Sequence, residues 1–282
     1  MARMIRSGLG WIAVIAAACL AGCENKSGPS PQSKIAVANS YLEAAVLDLG
    51  VEPAKVMSFV PPGMCPGHFD LTPSQVERLL SCSVLLVFDF QSNISSSLPR
   101  VRESGLKIGV IAPPPGLCVP DSYLSVVRQA AAALESANLL SAPDSAARLQ
   151  AIEERMKGLE QEVRSDMERA GLRDSTVLVS KHQEVFARWL GLNPVGTFRG
   201  SDTETPGPIQ SALESAAKQP VRWVLANQQE GTELAQSLAK RLSAKMVVFS
   251  NFPGPGGEGL ERPGFDWLVR ENVGSLIEAT QK

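Results

Sequence analysis

The sequence predicts an α/β protein: two parallel-sheet α/β lobes linked by a long α-helix, with a ligand site in the cleft between the lobes. Three observations predict it. Short β-branched runs alternate with helical stretches in the first half of the chain, and the same alternation resumes in the last third. Between the two blocks lies one long amphipathic run, Asp144 to Ala170.

In the first block, Lys34 to Ala38 and Lys55 to Val60 read as strands. Thr72 to Leu80 reads as a short helix, with Thr72 as its N-cap and Pro73 in its first turn. Val84 to Phe88 is a continuous apolar run of the kind found in buried parallel strands, and Lys107 to Ile111 follows as another strand. Ser122 to Leu139 reads as helix. In the linking run, Leu149, Ile152, Met156, Leu159 and Val163 recur at steps of three and four and leave the other face charged. Asp144 is a candidate cap for its start, and Gly171 marks its end. The second block offers strands at Thr176 to Ser180, Val195 to Phe198, Trp223 to Ala226 and Met246 to Ser250, with helices near 182–190, 207–217, 231–242 and 267–280. The domain boundaries that follow are an N-terminal lobe at 35–140, a linking helix at 141–172 and a C-terminal lobe at 173–282.

The first 34 residues have another character. Arg3 and Arg6 precede an uncharged apolar run from Trp11 to Leu20, too short for a comfortable membrane span but right for a secretory signal. It ends in Leu20-Ala21-Gly22-Cys23, which matches the bacterial lipobox. The expectation is a signal peptide over 1–22, lipid on Cys23, and a polar Ser/Pro/Gly/Lys tether over 23–34. That places the protein in the cell envelope, anchored on the extracytoplasmic side (periplasm or cell surface). The alternative is an ordinary signal peptide with a chance cysteine.

Composition narrows the function classes. A formal net charge of −2 argues against a nucleic-acid binder driven by phosphate contacts. A hydrophobic fraction of 44% with 20% charged residues describes a folded body rather than a disordered one. No Gly-x-Ser-x-Gly, phosphate loop or His-Glu-x-x-His is present, so the expectation is that the chain is not an enzyme.

The residues with coordination chemistry are few and cluster at strand ends. Pro61 to Asp70 is a strand-to-helix loop that carries Cys65 and His68 three apart, close enough to share one metal ion. Val179-Ser180-Lys181-His182 ends a strand at the equivalent edge of the second lobe. Cys118 follows the strand at 107–111 and a Pro-rich turn. Alternatives stand beside each: a surface-loop or helix-cap histidine, a disulfide or buried thiol for Cys65, and a disulfide with Cys65 for Cys118. Cys82, at a helix–strand junction, reads as a small core residue. Asn227, Gln228, Glu230, Ser250 and Asn251 also lie past strand ends. They are open to ligation, to hydrogen-bonding a ligand histidine, or to helix capping, and capping is the commonest of these roles.

These residues resemble the metal-binding solute receptors of bacterial ABC transporters, the zinc and manganese group. The resemblance spans most of the chain after residue 34. It rests on Val60-Pro61-Pro62-Gly63 and the histidine loop, Leu71-Thr72-Pro73-Ser74, Val84 to Val87 and the long helix. Val179-Ser180-Lys181-His182 with Leu190-Gly191-Leu192, Thr205 to Ile209 and Ala244 to Val248 complete it. It implies two α/β lobes joined by one helix, with a metal ion between them, handed to an inner-membrane permease. The family's first histidine position holds Gly67, with His68 one residue later. Its second falls near Cys118, its third is His182, and its acidic fourth falls near Ser250 or Asn251. The resulting metal-ligand set is Cys65, His68, Cys118 and His182, a soft N/S site suited to zinc, with manganese or copper as alternatives. Affinity should fall at acid pH as the ligands protonate. The expected partners are the metal ion, the ABC permease and the lipid anchor, with no nucleic acid and a monomeric chain. Two other functions remain open: a binder of a chelated metal or small molecule on the same fold, and a thiol-based metallochaperone or redox lipoprotein.

Overall fold

The computed structural model describes residues 34–59, 72–91, 105–200, 206–254 and 264–281. Cys23, Cys65 and His68 lie outside them, as does the end of the second predicted strand at Val60.

Strands β1 (Ile35–Val37), β2 (Val56–Ser58), β3 (Val84–Phe88) and β4 (Lys107–Ile111) form a parallel sheet in the order β2-β1-β3-β4. Strands β5 (Thr176–Ser180), β6 (Asn193–Phe198), β7 (Trp223–Asn227) and β8 (Lys245–Phe249) form a second parallel sheet in the order β6-β5-β7-β8. The two lobes thus repeat one topology. In each, the chain runs outward on one side of the first strand, then returns to its other side. The strand order reverses at β1/β3 and at β5/β7, and residues just past the carboxyl ends of those pairs are where such sheets bind ligands.

The predicted strands are present with their ends shifted by a residue or two. The largest shift is in β6, which begins at Asn193 rather than Val195 because the sheet accommodates Pro194. Pro194 pairs with Val177, the register then slips by one residue, and Gly196 faces Leu178. A proline lacks the ladder donor and is tolerated on this edge strand.

Helix α1 (Ser40–Asp48) has no counterpart among the predicted elements. Every residue from Ser40 to Val46 is buried, so no polar face gives it a helical period. Asn39 caps it by accepting from Leu42 N at 2.9 Å. Helix α2 (Pro73–Leu80) carries the predicted cap on Thr72, completed as a capping box by Gln75. Helix α3 (Pro120–Ser136) packs on β4 and on the linking helix α4 (Ala142–Arg169). The cap of α4 is Ser141 rather than Asp144: Ser141 Oγ accepts from Asp144 N at 3.3 Å, and Asp144 occupies the third helical position. Gly171 closes it with φ of +63°.

The stripe on α4 is buried as expected, with Ile152, Met156, Leu159, Val163 and Met167 joining one core that runs through both lobes. Each such side chain contributes roughly 1.5–3 kcal/mol on burial. Helices α5 (Glu184–Trp189), α6 (Pro206–Ala217) and α7 (Glu233–Leu242) flank the second sheet. The last helix, α8 (Phe265–Gln281), packs on β8, α4 and α1, so it returns to the first lobe. There Phe265 stacks on Tyr123 with ring centroids 4.1 Å apart, and Tyr41 meets both edge-on. Arg155 of α4 ties the same corner together: it binds both carboxylate oxygens of Asp48 on α1 and lies 3.2 Å from Asp266 on α8. No described helix is long and apolar enough to cross a membrane.

Candidate metal centre between the lobes

The pairing of β5 with β7 decides what meets at the cleft. Val177, Leu178 and Val179 lie beside Trp223, Val224 and Leu225, so the turns leaving these strands start side by side. Each is a single 3₁₀ turn: Lys181–Gln183 after β5 and Gln228–Glu230 after β7. They bring His182 Nε2 to 3.5 Å from Glu230 Oε1. Two ligands each about 2.0–2.1 Å from a tetrahedral zinc ion lie about 3.3–3.4 Å apart, so this spacing suits adjacent ligands of one ion.

Glu230 is held from behind. Its Oε2 accepts from Ser180 Oγ, and its Oε1 accepts from Gly200 N at 3.2 Å. Gly200 is needed there, because a Cβ at that position would sit 2.6 Å from the Glu230 carbonyl oxygen. Ser180 Oγ also accepts from His182 N at 3.3 Å, so one hydroxyl orients the carboxylate and the turn that carries the imidazole. Supporting bonds of this kind fix the orientation of side chains that ligate metals. The first lobe has a parallel turn, Asp89–Gln91 after β3, in which the buried Gln91 Oε1 accepts from Asn39 Nδ2 at 2.8 Å and from Phe88 N at 3.2 Å.

His182 and Glu230 face an interlobe cavity of about 690 Å³. Its second-lobe wall also includes Lys181, Glu184, Val185, Asn227, Gln229, Asn251 and Phe252; its first-lobe wall is Asp89, Phe90 and the run Pro113 to Leu117. Salt bridges from Lys181 and Arg188 hold the Glu184 carboxyl below its ordinary range. At the seam Gly116 adopts φ of +85°, and a Cβ there would meet Val185 Cγ1 at 2.6 Å.

Of the four sequence-predicted ligands, His182 is on the cavity wall with its side chain 60% exposed. Cys65 and His68 lie outside the described residues. Cys118 is fully buried one layer behind the wall, as a free thiol. Its Sγ donates to Ser250 O at 3.1 Å, and Asn272 Nδ2 lies 3.5 Å from the sulfur. Burial pushes this thiol well above its ordinary pKa, so it stays protonated and serves as a donor that stitches the first lobe to the second. Cys82 is also buried and free. Asn251 and Asn227 accept from the buried Gln183 Nε2 at 3.0 and 3.3 Å, and Ser250 N donates to Asn272 Oδ1 at 2.9 Å. The polar residues past β8 therefore belong to an internal network. Among the described residues, no group of three or more His, Cys, Asp or Glu side chains converges as a metal cage.

Glu230 is the site residue that sequence reasoning undervalued. Its position past β7 was legible, but its role depends on Gly200 and Ser180, which are remote in sequence.

Residues 119–279 match the family model of ZnuA, the periplasmic component A of a zinc-uptake complex. Among solved structures, the chain is similar to a manganese-bound periplasmic metal-binding protein of Candidatus Liberibacter asiaticus, with TM-score 0.71, 11% identity, and 87% of this chain and 98% of that chain covered. A cadmium-bound form of that protein matches with TM-score 0.71 at 12% identity over the same shares. A mutant of the laminin-binding adhesin Lmb of Streptococcus agalactiae matches with TM-score 0.68 at 12% identity, again over 87% and 98%. No curated protein sequence matches this chain. The structural likeness establishes the fold of two α/β lobes joined by a long helix, and the family match extends over more than half of the sequence. This chain is a member of the ZnuA family of periplasmic metal-binding proteins.

Proposed function

We propose that the protein captures a transition metal ion, zinc foremost, in the cleft between its lobes and passes it to an ABC-type permease in the inner membrane, performing no reaction itself. The observation that carries this reading is the convergence of His182 and Glu230, 3.5 Å apart, at the strand-order switch of the second sheet. Glu230 then supplies the acidic ligand that the resemblance places near Ser250 or Asn251. Cys65 and His68, on the loop before α2, are the proposed further donors. Cys118 is better suited to the structural hydrogen bond it makes than to ligation, because a metal would have to displace its proton in a fully buried site. Family membership supports the transport role, and the lipobox at Cys23 supports an anchor that keeps the receptor beside its permease.

The test is zinc titration by calorimetry on the full chain. Partners that only hydrogen-bond a ligand are worth about 10- to 100-fold in metal affinity, so loss of a ligand itself should cost at least as much. His182→Ala and Glu230→Gln are each expected to weaken zinc at least tenfold. Unchanged affinity in both variants would sink the assignment.

A further inference from the structure

The turns that carry His182 and Glu230 are tied together by a buried glutamine. Gln183 follows His182 in the turn leaving β5 and is fully buried. Its Nε2 donates to Asn227 Oδ1 at 3.3 Å and to Asn251 Oδ1 at 3.0 Å. Asn227 is the residue from which the turn Gln228–Glu230 starts. Asn251, past β8, donates its backbone N–H to Gln229 Oε1 at 2.9 Å, and Gln229 directly precedes Glu230. Two hydrogen-bonded routes therefore run from the neighbour of His182 to the turn of Glu230. The Asn251 route continues to the first lobe, where Cys118 Sγ lies 3.6 Å from Asn251 Oδ1.

Two further observations bear on what the tie is for. The His182 side chain is 60% exposed, so packing around the imidazole does little to place it, and its position follows from that of its turn. Gln183 Oε1 is buried and has no hydrogen-bond partner among the described residues. A stranded buried acceptor is destabilising, and a methionine would fill a similar volume without one. Packing therefore does not call for a glutamine at this position; the two bonds from its Nε2 do.

We propose that Gln183 is a positioning residue for the metal site. By joining the turn after β5 to the chain leaving β7 and β8, it sets the 3.5 Å spacing of His182 and Glu230 while touching no metal itself. Ser180 holds the first end of the His182 turn, and Gln183 holds its last. The inference rests on the metal-binding reading above and names the group that keeps its two ligands in register.

The test is Gln183→Met in the full chain, which keeps the volume and removes the hydrogen bonds. Zinc affinity is read by calorimetry, and ligand geometry by the visible absorption of bound cobalt(II) at saturation. Urea unfolding verifies that the variant is folded in the titration. The expected result is zinc weakened at least tenfold, together with an altered cobalt spectrum. A smaller loss overturns the inference. So does a tenfold loss with an unchanged cobalt spectrum, because Gln183 then serves the fold and not the geometry of the pair. Should Gln183→Met fail to fold, Asn227→Ala cuts one arm of the tie; it should alter the cobalt spectrum and weaken zinc at least threefold, and a smaller effect on either overturns the inference. His182→Ala separates the two readings. If it weakens zinc and Gln183→Met does not, the positioning role falls and the metal site stands. If zinc affinity survives His182→Ala and Glu230→Gln as well, both readings fall.

Discussion

At the scale of single residues, the candidate centre depends on which side chain points where, and this is the level at which sequence is least informative. His182 could be located because a strand ends at Ser180 and a turn begins at once. Cys118 was equally well placed past β4, but its sulfur turns inward to Ser250, 132 residues away, and no local pattern encodes that. The Cys118 environment makes a direct prediction. Under native conditions Cys118 should resist iodoacetamide, because its thiol is buried and protonated, and it should react fully once urea unfolds the chain. Rapid native labelling at Cys118, read by peptide mass mapping, would contradict the described packing. Gly200→Ala makes a second prediction. The added Cβ meets backbone at 2.6 Å, so Glu230 must shift, and zinc affinity should fall although residue 200 is no ligand. Calorimetry of that variant checks it, and wild-type affinity would show that the Glu230 carboxylate needs no such support.

At the scale of elements, most of the fold was legible because most elements have one buried face and one wet one. The α4 stripe and the continuous apolar strands β3 and β7 are examples. Helix α1 escaped because both its faces are buried, so it has no period to read. The Arg155 junction between α1, α4 and α8 escaped for another reason: it joins residues 48, 155 and 266. Burial raises Asp266 above its ordinary range and Asp48 adds to that, while Arg155 and Arg270 oppose it. A carboxyl raised in the folded state stabilises most below its unfolded pKa and loses that contribution as pH rises through its folded value. Arg155→Ala removes the main cation facing both aspartates and the partner of Asp48, which also accepts from Tyr123 at 2.6 Å. The variant should lose about 1–3 kcal/mol at pH 7, discounted for partial solvent exposure of the pair. The loss should shrink near pH 4, as Asp266 protonates. Urea unfolding at the two pH values measures this, and an equal loss at both would exclude the charge-based account.

At the scale of the whole molecule, two copies of one sheet topology face each other across a cleft, joined by α4 and by the return of α8 to the first lobe. The continuous core through both lobes, the Tyr41–Tyr123–Phe265 cluster and the Cys118–Ser250 bond make the joint a packed one. Such a frame presents the proposed ligands His182 and Glu230 at a fixed site, the turns leaving β5 and β7. The most direct test is therefore a structure of the full chain loaded with zinc, with the ion located by its anomalous scattering. The account predicts an ion about 2.0–2.2 Å from both His182 Nε2 and a Glu230 carboxylate oxygen. An ion bound elsewhere, with His182 and Glu230 both outside its coordination shell, would contradict it.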